Sequence, residues 1–166
     1  MKLFFALMLI ATVINPVSAQ SKKSDKKAAK EAEIKDLINT KNYVFMANYA
    51  YPAGGGQMYL TPYYDLTIAK DSVIAYLPYL GVAYSGAGYN NSDDNGIKFT
   101  STDFEYKSEQ KKNGSWLIFI KPKDSRTTNQ MVLTVEVNGS ANLSVISNNR
   151  QQIRFDGFIK DRSKKQ

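Results

Sequence analysis

Residues 130–147 read QMVLTVEVNGSANLSVIS, and this stretch decides the fold. Met131, Leu133, Val135 and Val137 alternate with Thr134, Glu136 and Asn138, the two-residue period of a strand with one dry and one wet face. Asn138-Gly139 is a tight-hairpin dipeptide, and Asn142 to Ser147 carries the chain back. The pattern predicts two antiparallel strands, 130–137 and 142–147.

The same grammar continues on both sides. Downstream, Asn148-Asn149-Arg150 turns the chain into Gln151–Lys160, with Ile153, Phe155, Gly157 and Ile159 on one face. Upstream, Lys111-Lys112-Asn113-Gly114 is a turn before Ser115–Lys121, which is apolar on both faces. Earlier strands are predicted at Gly96–Tyr106, Ser72–Leu77, Tyr63–Ala69 and Tyr43–Tyr49, the last broken by Pro52 and Gly54-Gly55-Gly56. That glycine run lacks every phosphate-loop pattern and reads as a turn or a close backbone approach.

Eight strands on short links predict an all-β fold: a single antiparallel meander of about eight strands. A meander hides its edges best by closing, so a closed or flattened barrel (lipocalin/streptavidin-like) is expected, with a two-sheet β-sandwich as the alternative. One N-terminal helix precedes it over residues 25–39. Ser24-Asp25 caps it, Ile34, Leu37 and Ile38 form a docking stripe, and Asn39 ends it.

The first residues have a different purpose. Met1-Lys2, the apolar run Leu3–Ile14, Asn15-Pro16 and Val17-Ser18-Ala19 follow the order of a secretory signal peptide, with cleavage between Ala19 and Gln20. The expected organisation is a signal peptide (1–19), a basic linker and helix (20–41), a β-domain (42–160) and a basic tail (161–166). The product is expected to be exported, to the periplasm or beyond. With no Cys past the cleavage site it is not lipid-anchored, and no membrane span is expected in the mature chain.

The chain has 166 residues, no Cys and no His. Disulfides, Cys/His zinc sites, cysteine nucleophiles and histidine-dependent triads are therefore excluded. The formal charge of +7 suggests an anionic partner until it is divided. Residues 42–159 hold ten basic and ten acidic side chains, so the surplus belongs to the signal, the leading segment and the tail. A nucleic-acid binder would carry its Lys and Arg on one face of the fold, so no nucleic acid is expected. The basic tails leave room only for weak contact with anionic surfaces.

Several phrases belong together: the Tyr-rich opening with Pro52, Leu77-Pro78-Tyr79-Leu80-Gly81, Gly96-Ile97-Lys98-Phe99, and Asn149-Arg150-Gln151 with Gly157. Over about residues 25–160 they resemble the domain-of-unknown-function family 4251, found in exported proteins of Bacteroidetes-type bacteria. The resemblance implies an exported single domain and no particular chemistry. Many members look like lipoproteins, and this chain departs from them in lacking the Cys.

All eleven tyrosines lie between Tyr43 and Tyr106. A tyrosine offers a flat apolar ring with a polar tip, which suits sugars, peptides and planar ligands as well as ordinary strand packing. Tyr76, Tyr79, Tyr84 and Tyr89 flank a Gly- and Asn-rich loop and are the candidate ligand rim. Arg150, at a turn, is a candidate for binding an anionic group or for pairing with a carboxylate or carbonyls at the sheet end. Asn91, Asp93 and Asn95 before Gly96 resemble the opening of a calcium loop. Thr102 stands at the twelfth position, however, and no helices flank the segment, so a polar turn is the plainer reading. Asp71-Ser72-Val73 matches a bacterial O-glycosylation pattern at a hairpin tip, and Asn-x-Ser sequons occur at Asn90, Asn113, Asn138 and Asn142. Asp65, Asp103, Glu105 and Asp156 fall in predicted strands, but no spacing singles out a catalytic pair.

The expected function is a non-catalytic binding domain holding a small apolar or carbohydrate-like ligand at the Tyr-rich rim, without cofactor. The alternative is a structural or interaction module meeting an envelope protein. A carboxylate-based hydrolase ranks third.

Overall fold

A computed structural model describes residues 17–79, 96–148 and 150–164. The apolar run before residue 17, Tyr84, Tyr89 and the calcium candidates Asn91, Asp93 and Asn95 lie outside the described residues. The order is α1 (Val17–Thr40), β1 (Tyr43–Pro52), β2 (Met58–Tyr59), β3 (Asp65–Ile68), β4 (Val73–Pro78), β5 (Gly96–Ser101), β6 (Phe104–Gln110), β7 (Trp116–Pro122), β8 (Thr128–Val135), β9 (Ser140–Ser147) and β10 (Ile153–Asp161). A short 3-10 turn, Arg162–Lys164, follows.

The expected meander is present as one antiparallel sheet in the order β5-β4-β3-β1-β10-β9-β8-β7-β6, with β2 added beside β1. First and last strands pair from Tyr43↔Asp161 to Pro52↔Ile153. The outermost strands, β5 and β6, are two halves of the single strand predicted over 96–106, kinked at Thr102-Asp103. From Met46 the paired residues lead through Asp65 and Tyr76 to Lys98. From its neighbour Ala47 they lead the other way through Gly157, Ala141, Val135 and Trp116 to Gln110. Both routes end on the same kinked strand, well displaced along it. That is the stagger tilted strands need to close, and the sheet is a nearly closed barrel.

The kink is held by a short network. The Asp124 carboxylate accepts from the Thr102 amide at 3.0 Å and the Asp103 amide at 3.4 Å, and the Lys123 amide donates to the Asp103 carbonyl at 2.8 Å. Hydrogen bonds from the Ser101 hydroxyl and these amides hold the Asp124 carboxyl below its ordinary range.

Alternation does what the sequence predicts. Phe45, Leu66, Leu77, Ile118, Ile120, Met131, Leu133 and Phe155 are buried inside the barrel. Thr134, Asn142, Ser144, Arg154 and Asp156 alternate with them on the outer face. Among the described residues no helix is long and apolar enough to cross a membrane.

Boundaries moved where a turn outcompeted the pattern. β8 ends at Val135, because the hairpin uses five residues, with Glu136 and Ser140 bonded at 2.8 Å and Gly139 at φ +89°. Val137 therefore sits in the turn, packed beside Gly114. β1 runs through Pro52, which occupies the strand's last position rather than breaking it.

The helix begins at Val17, eight residues before the expected start, and passes through Ala19 and Gln20. Residues 24–29 are exposed, whereas Ile34, Leu37 and Ile38 are buried and cover one barrel end. The helix ends one residue past Asn39 in a left-handed cap. Lys41 takes φ 51°, its amide reaches the Ile38 carbonyl at 3.3 Å, and the Asn42 amide reaches Leu37 at 3.2 Å. The Lys41 ammonium then lies 4.8 Å from the Tyr106 ring. Beneath it the Tyr106 and Tyr43 hydroxyls are 3.1 Å apart. Burial raises both phenols, Tyr43 well above its ordinary value and Tyr106 to about 12.

Candidate functional site

The end opposite the helix holds two of the predicted site residues. β4 points Val73, Ala75 and Leu77 inward, and Tyr79 continues that alternation into the core. The Tyr79 hydroxyl donates to the Gln151 carbonyl at 3.3 Å, and the Arg150 guanidinium lies 4.8 Å over its ring. Arg150 also donates to the Gly96 carbonyl at 3.4 Å. The Leu77-Pro78-Tyr79, Gly96 and Arg150-Gln151 phrases, far apart in sequence, thus meet at one place. Arg150 thus meets an aromatic ring and a backbone carbonyl at the end of the sheet.

Tyr76 is not part of that cluster. One residue's alternation from Leu77 puts it on the outer face, stacked on Tyr64 at 5.6 Å and 13°, with the Lys98 ammonium 5.2 Å from its ring. It belongs to a larger outer sector that sequence reasoning missed. The cause is a bulge. The β1–β10 register shifts between Ala47 and Tyr49, leaving Asn48 extra. The Asn48 carbonyl accepts from the Leu60 amide at 2.8 Å, and the Ala47 amide donates to the Tyr64 carbonyl at 3.0 Å, so residues 58–64 are tied to β1. Opposite Ala47 stands Gly157, where a Cβ would lie 1.9 Å from the Met46 carbonyl oxygen. Only glycine fits that approach.

The bulge leaves Ala50 buried, with Tyr49 and Tyr51 on either side of it facing out. Tyr49 meets Tyr59 edge-to-face at 5.6 Å and 70°, and Arg154 lies 4.7 Å over Tyr51. Tyr59 and Tyr63 are 75% and 76% exposed, which is unusual for rings of this size, and Tyr49 and Tyr76 are also exposed. Beside Tyr49 across the ladder, Asp156 accepts from the Asn142 side-chain amide. Interaction with the Asp156 carboxylate raises the Tyr51 phenol, with Arg154 opposing. Asp156 and Asn142 line a shallow hollow of about 280 Å³ with Thr134, Glu136 and Ser140. The signal available in the sequence was the Tyr49-Ala50-Tyr51 alternation. The bulge that orients it has no sequence mark.

The other carboxylates are dispersed. Asp65 is buried on β3 and accepts from the Thr67 hydroxyl at 3.4 Å. Asp103 sits at the β5–β6 kink, and Glu105 pairs with Lys123 at 3.3 Å. Among the described residues no three His, Cys, Asp or Glu stand together as a metal site. Gly55 and Gly56 take φ +92° and +89° with open space around them, a turn rather than a close approach. The Ser72 hydroxyl, in the β3–β4 turn, donates to Asp71 at 3.1 Å.

No curated protein sequence matches the chain. A crystal structure of a DUF4251 family protein from Bacteroides eggerthii DSM 20697 is similar in fold, with a TM-score of 0.64 at 15% identity. The similarity covers 81% of this chain and 91% of that one. Residues 25–159 match the family described as a domain of unknown function, DUF4251. That span runs from the exposed turns of α1 to the last inward residue of β10 and takes in all of the barrel but the final two residues of that strand, so the chain belongs to the DUF4251 family.

Proposed function

We propose that this protein is an exported, non-catalytic binding module of the bacterial envelope, and that it holds an extended partner on the outside of its barrel. The observation that carries the reading is the outer sector of Tyr49, Tyr59, Tyr63 and Tyr76, all exposed, with Tyr51 and Tyr64 half-buried beside them. Clustered exposed aromatic surface costs solubility and marks interaction sites. Export is supported by the order of residues 1–19. A ligand inside the barrel has less support, because large side chains such as Phe45, Phe155 and Met131 occupy that space. The non-catalytic reading is supported by the dispersal of Asp65, Asp103, Glu105 and Asp156.

Sedimentation with the envelope fraction of the host cell tests it. The wild-type protein is expected in the pellet, and Tyr59→Ala/Tyr63→Ala, two exposed positions whose loss leaves the core intact, in the supernatant. Equal sedimentation of both proteins, or of neither, would overturn the proposal.

A further inference from the structure

The same sector points to a ligand class, and this step rests on the binding reading above. We infer that Tyr59 and Tyr49, together with Asp156, Asn142 and Arg154, form a subsite for an uncharged glycan chain. Three observations converge. First, one of the two most exposed rings is fixed rather than loose: Tyr59 is braced edge-to-face by Tyr49 at 5.6 Å, so an aromatic platform exists before binding and little ordering is lost on contact. A pyranose ring presents a patch of C–H groups to such a platform while its hydroxyls point sideways.

Second, the side chains beside the platform are those that match sideways hydroxyls. Asp156 accepts only, and the Asn142 amide donates to it. A carboxylate has about four lone-pair sites, so one such bond leaves it capacity for further donors. Asn142 and the exposed fork of Arg154 add planar groups able to engage neighbouring hydroxyls.

Third, the hollow has the wrong size and charge for the alternatives. At about 280 Å³ and open to solvent it is smaller than the roughly 300–1,000 Å³ pockets that engulf small molecules. It suits one ring of a longer chain whose neighbours lie on the tyrosines. Glu136 and Asp156 on its wall disfavour an anionic polymer.

Isothermal titration with soluble cello-, chito- and malto-oligosaccharides, and with polygalacturonate as the anionic control, tests the assignment. Saturable binding to at least one neutral oligosaccharide is expected, insensitive to salt and absent for polygalacturonate. Tyr59→Ala and Asp156→Ala are each expected to weaken it at least tenfold without changing the melting temperature by more than a few degrees. Binding unchanged in both variants would overturn the site. No binding to any neutral oligosaccharide would overturn the ligand class. If Tyr59→Ala/Tyr63→Ala nevertheless lost envelope sedimentation, the partner would be a protein and the broader reading would survive.

Discussion

At the scale of single residues, Gly157 and the buried tyrosines show how differently a position can be read from sequence and from structure. Gly157 sits in the inward-facing series of β10, where a larger apolar side chain would be the simple expectation. Its reason is the bulge across the ladder, which brings the Met46 carbonyl to where a Cβ would stand. Gly157→Ala forces backbone against backbone, and a loss of at least about 3 kcal/mol is expected in urea denaturation. A loss below about 1 kcal/mol would mean the bulge relaxes freely. Tyr43 and Tyr106 look like two more strand tyrosines in the sequence, yet they lie under the helix cap with hydroxyls 3.1 Å apart. A phenol whose ionisation is raised in the fold favours the fold fully below its unfolded value of about 10 and loses that contribution as pH rises through the folded value. For Tyr106 that window closes at about 12. Alkaline unfolding is therefore expected within it, and Tyr43→Phe/Tyr106→Phe is expected to shift the midpoint to higher pH. An unchanged midpoint in that variant would rule out the pair as the cause.

At the scale of elements, strands were legible wherever alternation was clean and turns carried Gly or Asn, as in β8, β9 and the Lys111–Ser115 turn. Two features escaped. The kink between β5 and β6 is invisible locally, because Thr102 and Asp103 are ordinary strand-edge residues. Its cause is Asp124, distant in sequence, whose carboxylate takes both amides. The strand β2 has only two residues and exists because the bulge frees the Asn48 carbonyl. Asp124 has a lowered pKa, so its stabilising contribution is present above the ordinary carboxylate range near pH 4 and is lost as pH falls through the lowered value. Asp124→Asn is expected to flatten the acid limb of stability against pH and to speed hydrogen exchange at the Thr102 and Asp103 amides. Exchange as slow as in the wild type would assign the kink to packing alone.

At the scale of the whole molecule, the neutral charge of residues 42–159 and the absence of Cys and His already limited the chemistry. The meander was legible because neighbours on the sheet path are neighbours in the chain, apart from the β1–β10 pairing and the β1–β3 pairing, which skips only the two-residue β2. The candidate site was legible only in part. Tyrosine abundance was visible, and Tyr79 with Arg150 came together as a sheet-end cluster. The outward sector depends on a register shift, and a one-residue slip decides which face a side chain takes. The proposed binding face is the outer tyrosine sector, not the Tyr79–Arg150 end. Hydrogen-exchange mass spectrometry of the envelope-bound protein tests that most directly. Protection on binding is predicted in residues 49–64 and in β10 around Arg154 and Asp156. Protection confined to Tyr79, Gly96 and Arg150, with residues 49–64 unchanged, would contradict it.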